Sequence, residues 1–153
     1  AEATFEEMKA TSWMVETSAR IAESLAFAGR FDEALAAIDD AMAIESEAAT
    51  GGIVPLLERS RARALAGLGR HDEARSALER SAARATADGA DLELALTLQE
   101  LAHLAASERE RADASARARD IATRMGIDLA VAVPGHPSND SGSRATHRVP
   151  AQV

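Results

Sequence analysis

Apolar residues recur every three or four positions along most of this chain, which is the spacing expected of helices with one buried face. In the stretch after Gly29, this spacing brings Phe31, Leu35, Ile38 and Met42 onto one stripe. The pattern therefore predicts an all-α protein.

Local signals mark where the first helix begins and ends. Thr4 and Glu7 have the spacing of a capping box, which places the helix start at Phe5. Gly29 ends the helix, because glycine adopts the left-handed conformation without steric cost. The apolar face shifts near Ser12, so the pattern is compatible with one continuous helix to Ala28 or with a break around residues 10–12.

Comparable signals divide the rest of the chain. Pro55 suits the first position of a helix, Asp91 suits an N-cap, and Gly69 and Gly126 suit helix ends. Together the signals predict about six helices, beginning near residues 5, 31, 55, 71, 92 and 110.

An internal repeat is the strongest feature of the sequence. The segment from Leu25 to Ala34 recurs as the segment from Leu65 to Ala74. The two segments are 40 positions apart, and the residue 40 positions after Ala74 is again an alanine, Ala114, which suggests a third unit. The six helices are therefore expected to form three helix-turn-helix pairs, in units of about residues 12–50, 51–90 and 91–126.

These units resemble the tetratricopeptide repeat. The first unit supplies the small, large and turn residues of that family's pattern as Ala22, Leu25, Gly29, Phe31, Ala34, Ile38 and Ala41. The second unit supplies Ala62, Leu65, Gly69, His71, Ala74, Leu78 and Ser81. The third unit departs from the pattern, because Arg109 replaces the turn glycine. The resemblance implies a right-handed superhelical array over residues 1–127.

The long repeat period resembles the C-terminal repeat region of large actinobacterial signalling ATPases and transcriptional regulators. This resemblance implies a non-enzymatic protein-protein interaction or regulatory module in the cytoplasm of a bacterium. The chain starts with Ala1 and contains no phosphate-binding Gly-Lys-Ser/Thr loop, so we expect a fragment whose ATPase part lies upstream.

Composition narrows the possible partners. The 17 basic and 25 acidic residues give a net charge of −8, which disfavours direct binding to nucleic acid. Cysteine is absent, so disulfides, thiolate metal sites and cysteine nucleophiles are excluded. No apolar run approaches the roughly 20 residues of a membrane span. Residues 134–153 lack periodicity and contain three of the four prolines, so we expect them to be disordered, whereas residues 127–133 could lie extended against the last helix. Residues 128–153 are therefore expected to form an extended to disordered tail.

Catalytic, cofactor and metal sites are not expected. No two of the four histidines are spaced to share one helical face. The carboxylates of Asp39, Asp40, Glu45 and Glu47 fit a solvated helix face better than an ion site.

The concave face of the array is the candidate binding site for a protein or peptide partner. Its expected outward residues are Arg20, Glu23, Arg59, Arg63, Gln99 and His103. Arg59 and Arg63 are four positions apart and could grip a carboxylate or an acidic peptide. Alternatively, they pair with Glu58, Glu23 or Glu100 and only solubilise their helix.

Two other functions remain compatible with the sequence. One is a structural oligomerisation domain that dimerises through its terminal helices, with Phe5 and Trp13 in an exposed patch. The other is a small-molecule sensor or an enzyme with a pocket between helices. Arg61 is unusual in either case, because it falls on an apolar stripe and would have to extend its charged end into water.

Overall fold

A computed structural model describes residues 4–48 and 52–129 of the chain. These residues form six helices and no strand, which confirms the all-α prediction. The helices are α1 (Phe5–Phe27), α2 (Phe31–Ala48), α3 (Val54–Gly67), α4 (His71–Ala87), α5 (Asp91–His103) and α6 (Glu108–Met125). The tail predicted beyond Leu129 and the break predicted at Thr50 and Gly51 lie outside the described residues.

The first helix is continuous, without a break around residues 10–12. It begins at the predicted capping box: the Glu7 amide donates to Thr4 Oγ1 over 3.3 Å, and the Thr4 amide donates to Glu7 Oε2 over 2.7 Å. The shift of the apolar face near Ser12 arises because apolar residues lie on two sides of this one helix. The buried side is formed by Val15, Ala19, Ala22 and Ala26.

Glycines end the first helices of the first two pairs, as predicted. Gly29 and Gly69 have φ angles of 76° and 79°. After α1, the Gly29 amide donates to the carbonyl of Ala26 and the Arg30 amide donates to that of Leu25. These two bonds form a Schellman motif, which satisfies carbonyls that the helix end leaves without partners. Each glycine therefore permits the tight turn within its helix pair.

Three predicted helix starts are wrong by one or two residues. Helix α3 starts at Val54, one residue ahead of the predicted Pro55. Asp91 is the first residue of α5 and not its N-cap, since its carboxylate caps no amide and only adds negative charge to the positive end of the helix. Helix α6 starts at Glu108, ahead of the predicted residue 110, because the Ser107 hydroxyl accepts a hydrogen bond from the Glu110 amide.

The third pair turns earlier than the first two. If the register that relates α1 to α3 and α2 to α4 continued, α5 would end at residue 107 and α6 would begin at residue 111. The turn instead lies about one helical turn earlier, so Arg109 is part of α6. The equivalent inner positions are still filled, because Ala118 and Ile121 are buried like Ile38 and Ala41.

Contacts between successive helices hold the fold together, and α3 is central. It packs against α2 and α4 and also contacts α1 and α5, so the first helices of the three pairs lie side by side. Small residues allow this close packing: Ala22, Ala34, Ala62 and Ala74 are all buried.

Candidate functional site

The central helix α3 carries an unusually polar buried face. Its Glu58 side chain is buried, and its two oxygens accept hydrogen bonds from Nε and Nη2 of Arg80 on α4, each over 3.0 Å. This pair raises the pKa of the Arg80 guanidinium above its ordinary value, mainly through the side-chain hydrogen bond to Glu58. A charged pair therefore joins α3 to α4.

Arg61 joins α3 to α2. Its Nη2 lies 2.9 Å from Oδ1 of Asp39, and its Nε lies 3.7 Å from Oε2 of Glu58. The side chain is largely buried, and both of its carboxylate partners belong to the protein. The expectation that Arg61 simply extends into water is therefore wrong.

Arg59 does not point outward as predicted, since it is only 8% exposed. Its Nη1 is hydrogen-bonded to the carboxylate of Glu93 on α5, and it lies 3.5 Å from the backbone oxygen of the same residue. The long side chain of Arg59 lies in the contact between α3 and α5, which shields it from solvent. The partner is none of the carboxylates considered in the sequence analysis.

Arg63 also turns toward α5, where its Nη2 is hydrogen-bonded to Oε1 of Glu100. This is one of the pairs considered as an alternative to ligand binding. The guanidinium carbon also lies 3.9 Å from the centroid of the Phe27 ring on α1, which is a cation–π arrangement. Arg63 thus links the first helices of all three pairs.

Every neighbour of α3 is therefore joined to it through a charged side chain. The partners are Phe27 on α1, Asp39 on α2, Arg80 on α4, and Glu93 and Glu100 on α5. An acidic ligand that used Arg59 or Arg63 would have to displace one of these glutamates. Both arginines primarily connect helices.

The other candidates remain closer to the surface of the first helices. Arg20 is exposed and its Nη1 donates to Oε2 of Glu23 over 3.2 Å. Glu23, Arg63 and His103 are each one repeat period apart, so they occupy equivalent positions on α1, α3 and α5. We refer to the surface that contains Arg20, Glu23, Phe27, Arg63, Glu100 and His103 as the first-helix face.

A groove of about 530 Å³ brings two candidates together at the α5–α6 end. It is lined by Gln99, Ala102 and His103 of α5 and by Arg111 and Ser115 of α6. Nδ1 of His103 lies 2.9 Å from the backbone oxygen of Gln99. The Gln99 amide oxygen is buried and has no hydrogen-bond partner among the described residues. Arg111 and Ser115 were not identified from sequence, because the candidate face was drawn from the first helix of each pair and α6 is a second helix.

A small buried polar cluster joins α3, α4 and α5. The Ser81 hydroxyl lies 2.7 Å from Oγ1 of Thr97 and donates to the backbone oxygen of Pro55 over 3.1 Å. Thr97 donates in turn to the backbone oxygen of Glu93 over 2.7 Å. By contrast, the buried Ser60 hydroxyl has no partner within the described ranges.

A second depression of about 430 Å³ lies between α2, α3 and α4. Its charged lining includes Asp39, Arg61, Arg70, Glu73 and Arg80. Each of these side chains is already in an ion pair within the chain. The depression therefore offers a small molecule the carboxylate of Asp72 in addition to these paired groups.

Within residues 4–48 and 52–129, no three metal-ligating side chains are placed to hold an ion. None of the helices described here is both long and apolar enough to cross a membrane. No protein-family model, curated protein or solved structure matches the chain. What the chain does is therefore inferred from its own contacts.

Proposed function

We propose that this chain is a non-enzymatic protein-interaction module that binds a peptide segment of another protein on its first-helix face. The proposal includes a right-handed superhelical arrangement of tetratricopeptide-like pairs. Its resemblance to repeats of bacterial signalling and transcription-regulating proteins supports a regulatory role in the cytoplasm.

One observation carries the proposal: the first helices of three pairs lie side by side and present equivalent positions in a row. A ligand that lies across this face contacts α1, α3 and α5 at once. Such a surface suits an extended or helical segment better than a small molecule.

The chemistry of the face supports a ligand of mixed character. Arg20 is paired with Glu23, and Arg63 with Glu100, so the face carries no excess of positive charge for an acidic peptide. Phe27 is 43% exposed on the same face and offers an apolar anchoring position. The groove beside His103 offers space for a second side chain of the ligand.

The test uses a peptide selected from a displayed random library against the complete chain. Its dissociation constant is then measured by calorimetry for the wild type and for Phe27→Ala and His103→Glu. Both variants are expected to bind about tenfold more weakly or worse, as residues at the centre of an interface do. Met125→Ala is the matched control, because Met125 is 41% exposed, similar to Phe27, and lies at the end of α6.

Unchanged affinity in both face variants would contradict the proposal. Loss of binding in Ile21→Glu alone would do the same, because that residue is on the outer side of α1 and not on the first-helix face. Circular dichroism confirms that each variant is folded before its affinity is compared.

A further inference from the structure

The outer side of α1 carries a stripe of mainly apolar residues that is exposed except at its C-terminal end, where Leu25 packs against the cluster of Ala26, Ala34 and Ala64. It consists of Met14, Thr17, Ile21 and Leu25, which follow one another at helical spacing, and we call it the α1 stripe. Met14 is 56% exposed and Ile21 is 54% exposed. Large apolar side chains exposed in a row on one helix mark a surface that another element covers.

The same positions on α3 are covered. One repeat period further along the chain, the α1 stripe corresponds to Val54, Leu57, Arg61 and Leu65. Leu57 is buried in a cluster with Ile38 and Ala41 of α2, and Arg61 bonds Asp39 of α2. On α3, these positions therefore form the surface that packs against the second helix of the preceding pair.

The same positions on α5 are used in the same way. They are Leu94, Thr97, Leu101 and Ala105. Thr97 is hydrogen-bonded to Ser81 of α4, and Leu101 packs against the cluster that contains Leu78 of α4. In both inner cases, the covering helix is the one that directly precedes the covered helix in the chain.

The opposite end of the fold is different. The exposed residues of α6 are charged, polar or alanine, with the exception of Met125. After α6, Leu129 turns back onto the buried cluster of α5 and α6. This end has the polar outer surface of a terminal repeat, whereas the α1 end has the apolar surface of an internal one.

We propose that the α1 stripe is the docking surface for a helix of the α2 and α4 type, namely the second helix of a further helix pair that precedes it in the same polypeptide. Such a helix presents small and branched apolar residues like Ala34, Ile38 and Ala41. On α3, Asp39 of the covering helix faces Arg61, and the equivalent position on α1 is occupied by Ile21. This inference does not depend on the peptide-binding face.

An extended chain tests the docking directly. A second copy of residues 13–52 is inserted after Gly52. The inserted copy of α1 then follows α2 through the same connecting residues that precede α3 in the wild type, so its stripe can pack against α2. The extended chain has two copies of Trp13. The original copy is replaced by phenylalanine, and the inserted copy is kept as the only tryptophan. We expect the inserted tryptophan to emit at shorter wavelength than Trp13 of the original chain, and the urea midpoint of unfolding to rise.

Two variants of the inserted copy make the test specific. The substitution Ile21→Arg in the inserted copy would place an arginine opposite Asp39 of the original α2, as Arg61 is placed in the wild type. This variant is expected to keep the higher urea midpoint. Ile21→Glu would face the same carboxylate with like charge, and it is expected to lose the gain. The two variants differ in charge but both replace the same apolar side chain.

Three outcomes would overturn the proposal. The first is an extended chain with neither an emission shift nor a higher midpoint. The second is an equal effect of Ile21→Arg and Ile21→Glu. The third is a dimer of the original chain that Ile21→Glu converts to monomer, because this result would assign the stripe to a second copy. None of these outcomes affects the peptide measurements with Phe27 and His103.

Discussion

The ring of Phe31, the first residue of α2, lies directly against the backbone of Gly67, the last residue of α3. A Cβ atom added to Gly67 would lie under 3.0 Å from Cζ of Phe31. Because non-bonded carbon atoms do not approach so closely, the absence of a side chain at Gly67 allows the first pair to pack against the second.

This contact predicts opposite effects of one substitution in two backgrounds. Gly67→Ala should destabilise the wild type by about 1–2 kcal/mol, because the added methyl group displaces the Phe31 ring. In a Phe31→Ala background, the same substitution should stabilise by roughly 0.5–1 kcal/mol, because alanine favours helix. Urea unfolding of the four chains measures both effects, and an equal effect in the two backgrounds would show that the contact is unimportant.

The buried serines predict a second reversal of sign. Ser60→Ala should stabilise the fold by about 1 kcal/mol, because the buried hydroxyl has no partner among the described residues. Ser81→Ala should destabilise it by about 1–3 kcal/mol, because the buried Pro55 carbonyl loses the Ser81 hydroxyl that donates to it. Thermal unfolding of both variants provides the comparison. If Ser60→Ala were as harmful as Ser81→Ala, Ser60 would have a partner that the contacts do not include.

The ion pair between the buried Glu58 carboxylate and the half-exposed Arg80 side chain should matter more than a pair in which both partners are exposed. Glu58→Gln is expected to cost about 1–3 kcal/mol, since the buried carboxylate accepts two hydrogen bonds from Arg80. Asp120→Asn is the control, because its pair with Arg124 is exposed on α6 and should change stability by at most about 0.5 kcal/mol. Chemical denaturation of both variants would refute the prediction if the two losses were equal.

The capping box predicts a response to acid at the start of α1. Hydrogen bonds from Thr4, first from its backbone amide and then from its side chain, lower the pKa of Glu7 below its ordinary value of 4.5. Because the folded-state pKa is the lower one, the stabilisation by this carboxylate is present above the ordinary value and is lost as pH falls through the folded-state pKa.

Carbon chemical shifts of residues 5–8, followed from about pH 6 to about pH 2, measure this loss of helicity. Glu7→Gln serves as the reference, because its side chain does not titrate and the first turn should then lose most of its response to acid. Wild-type shifts that do not change below the ordinary pKa would contradict the prediction.

Local signals made most of the fold predictable from sequence. A capping box or a turn glycine acts on residues within one or two helical turns, so Thr4, Gly29 and Gly69 marked helix ends correctly. The start of α6 was missed for a related reason. Ser107 and Glu110 also have the spacing of a helix cap. They were overlooked because the repeat period places the start of α6 at residue 111, and the actual turn lies about one helical turn earlier.

The candidate site was less predictable, because long side chains select partners far away in sequence. Arg59 and Arg63 share one face of α3, as their spacing required. Several carboxylates were within plausible reach of both, and only the packing of α3 on α5 assigned them to Glu93 and Glu100. Gly67 shows the same limit: nothing in its neighbourhood along the chain indicates that the ring of Phe31 lies against it.

The charged contacts of α3 have a consequence for how the protein opens. Linear stacks of helix pairs can fray from either end, one pair at a time, when each pair contacts only its nearest neighbours. In this protein the contacts are likewise between neighbouring pairs, and α3 has a charged contact with all four surrounding helices. The outer pairs can therefore open one at a time, whereas α3 opens only when its contacts to every pair are broken. Amide hydrogen exchange should therefore be slowest in α3 and report the global unfolding event there, while the outer turns of α1 and α6 exchange through partial opening.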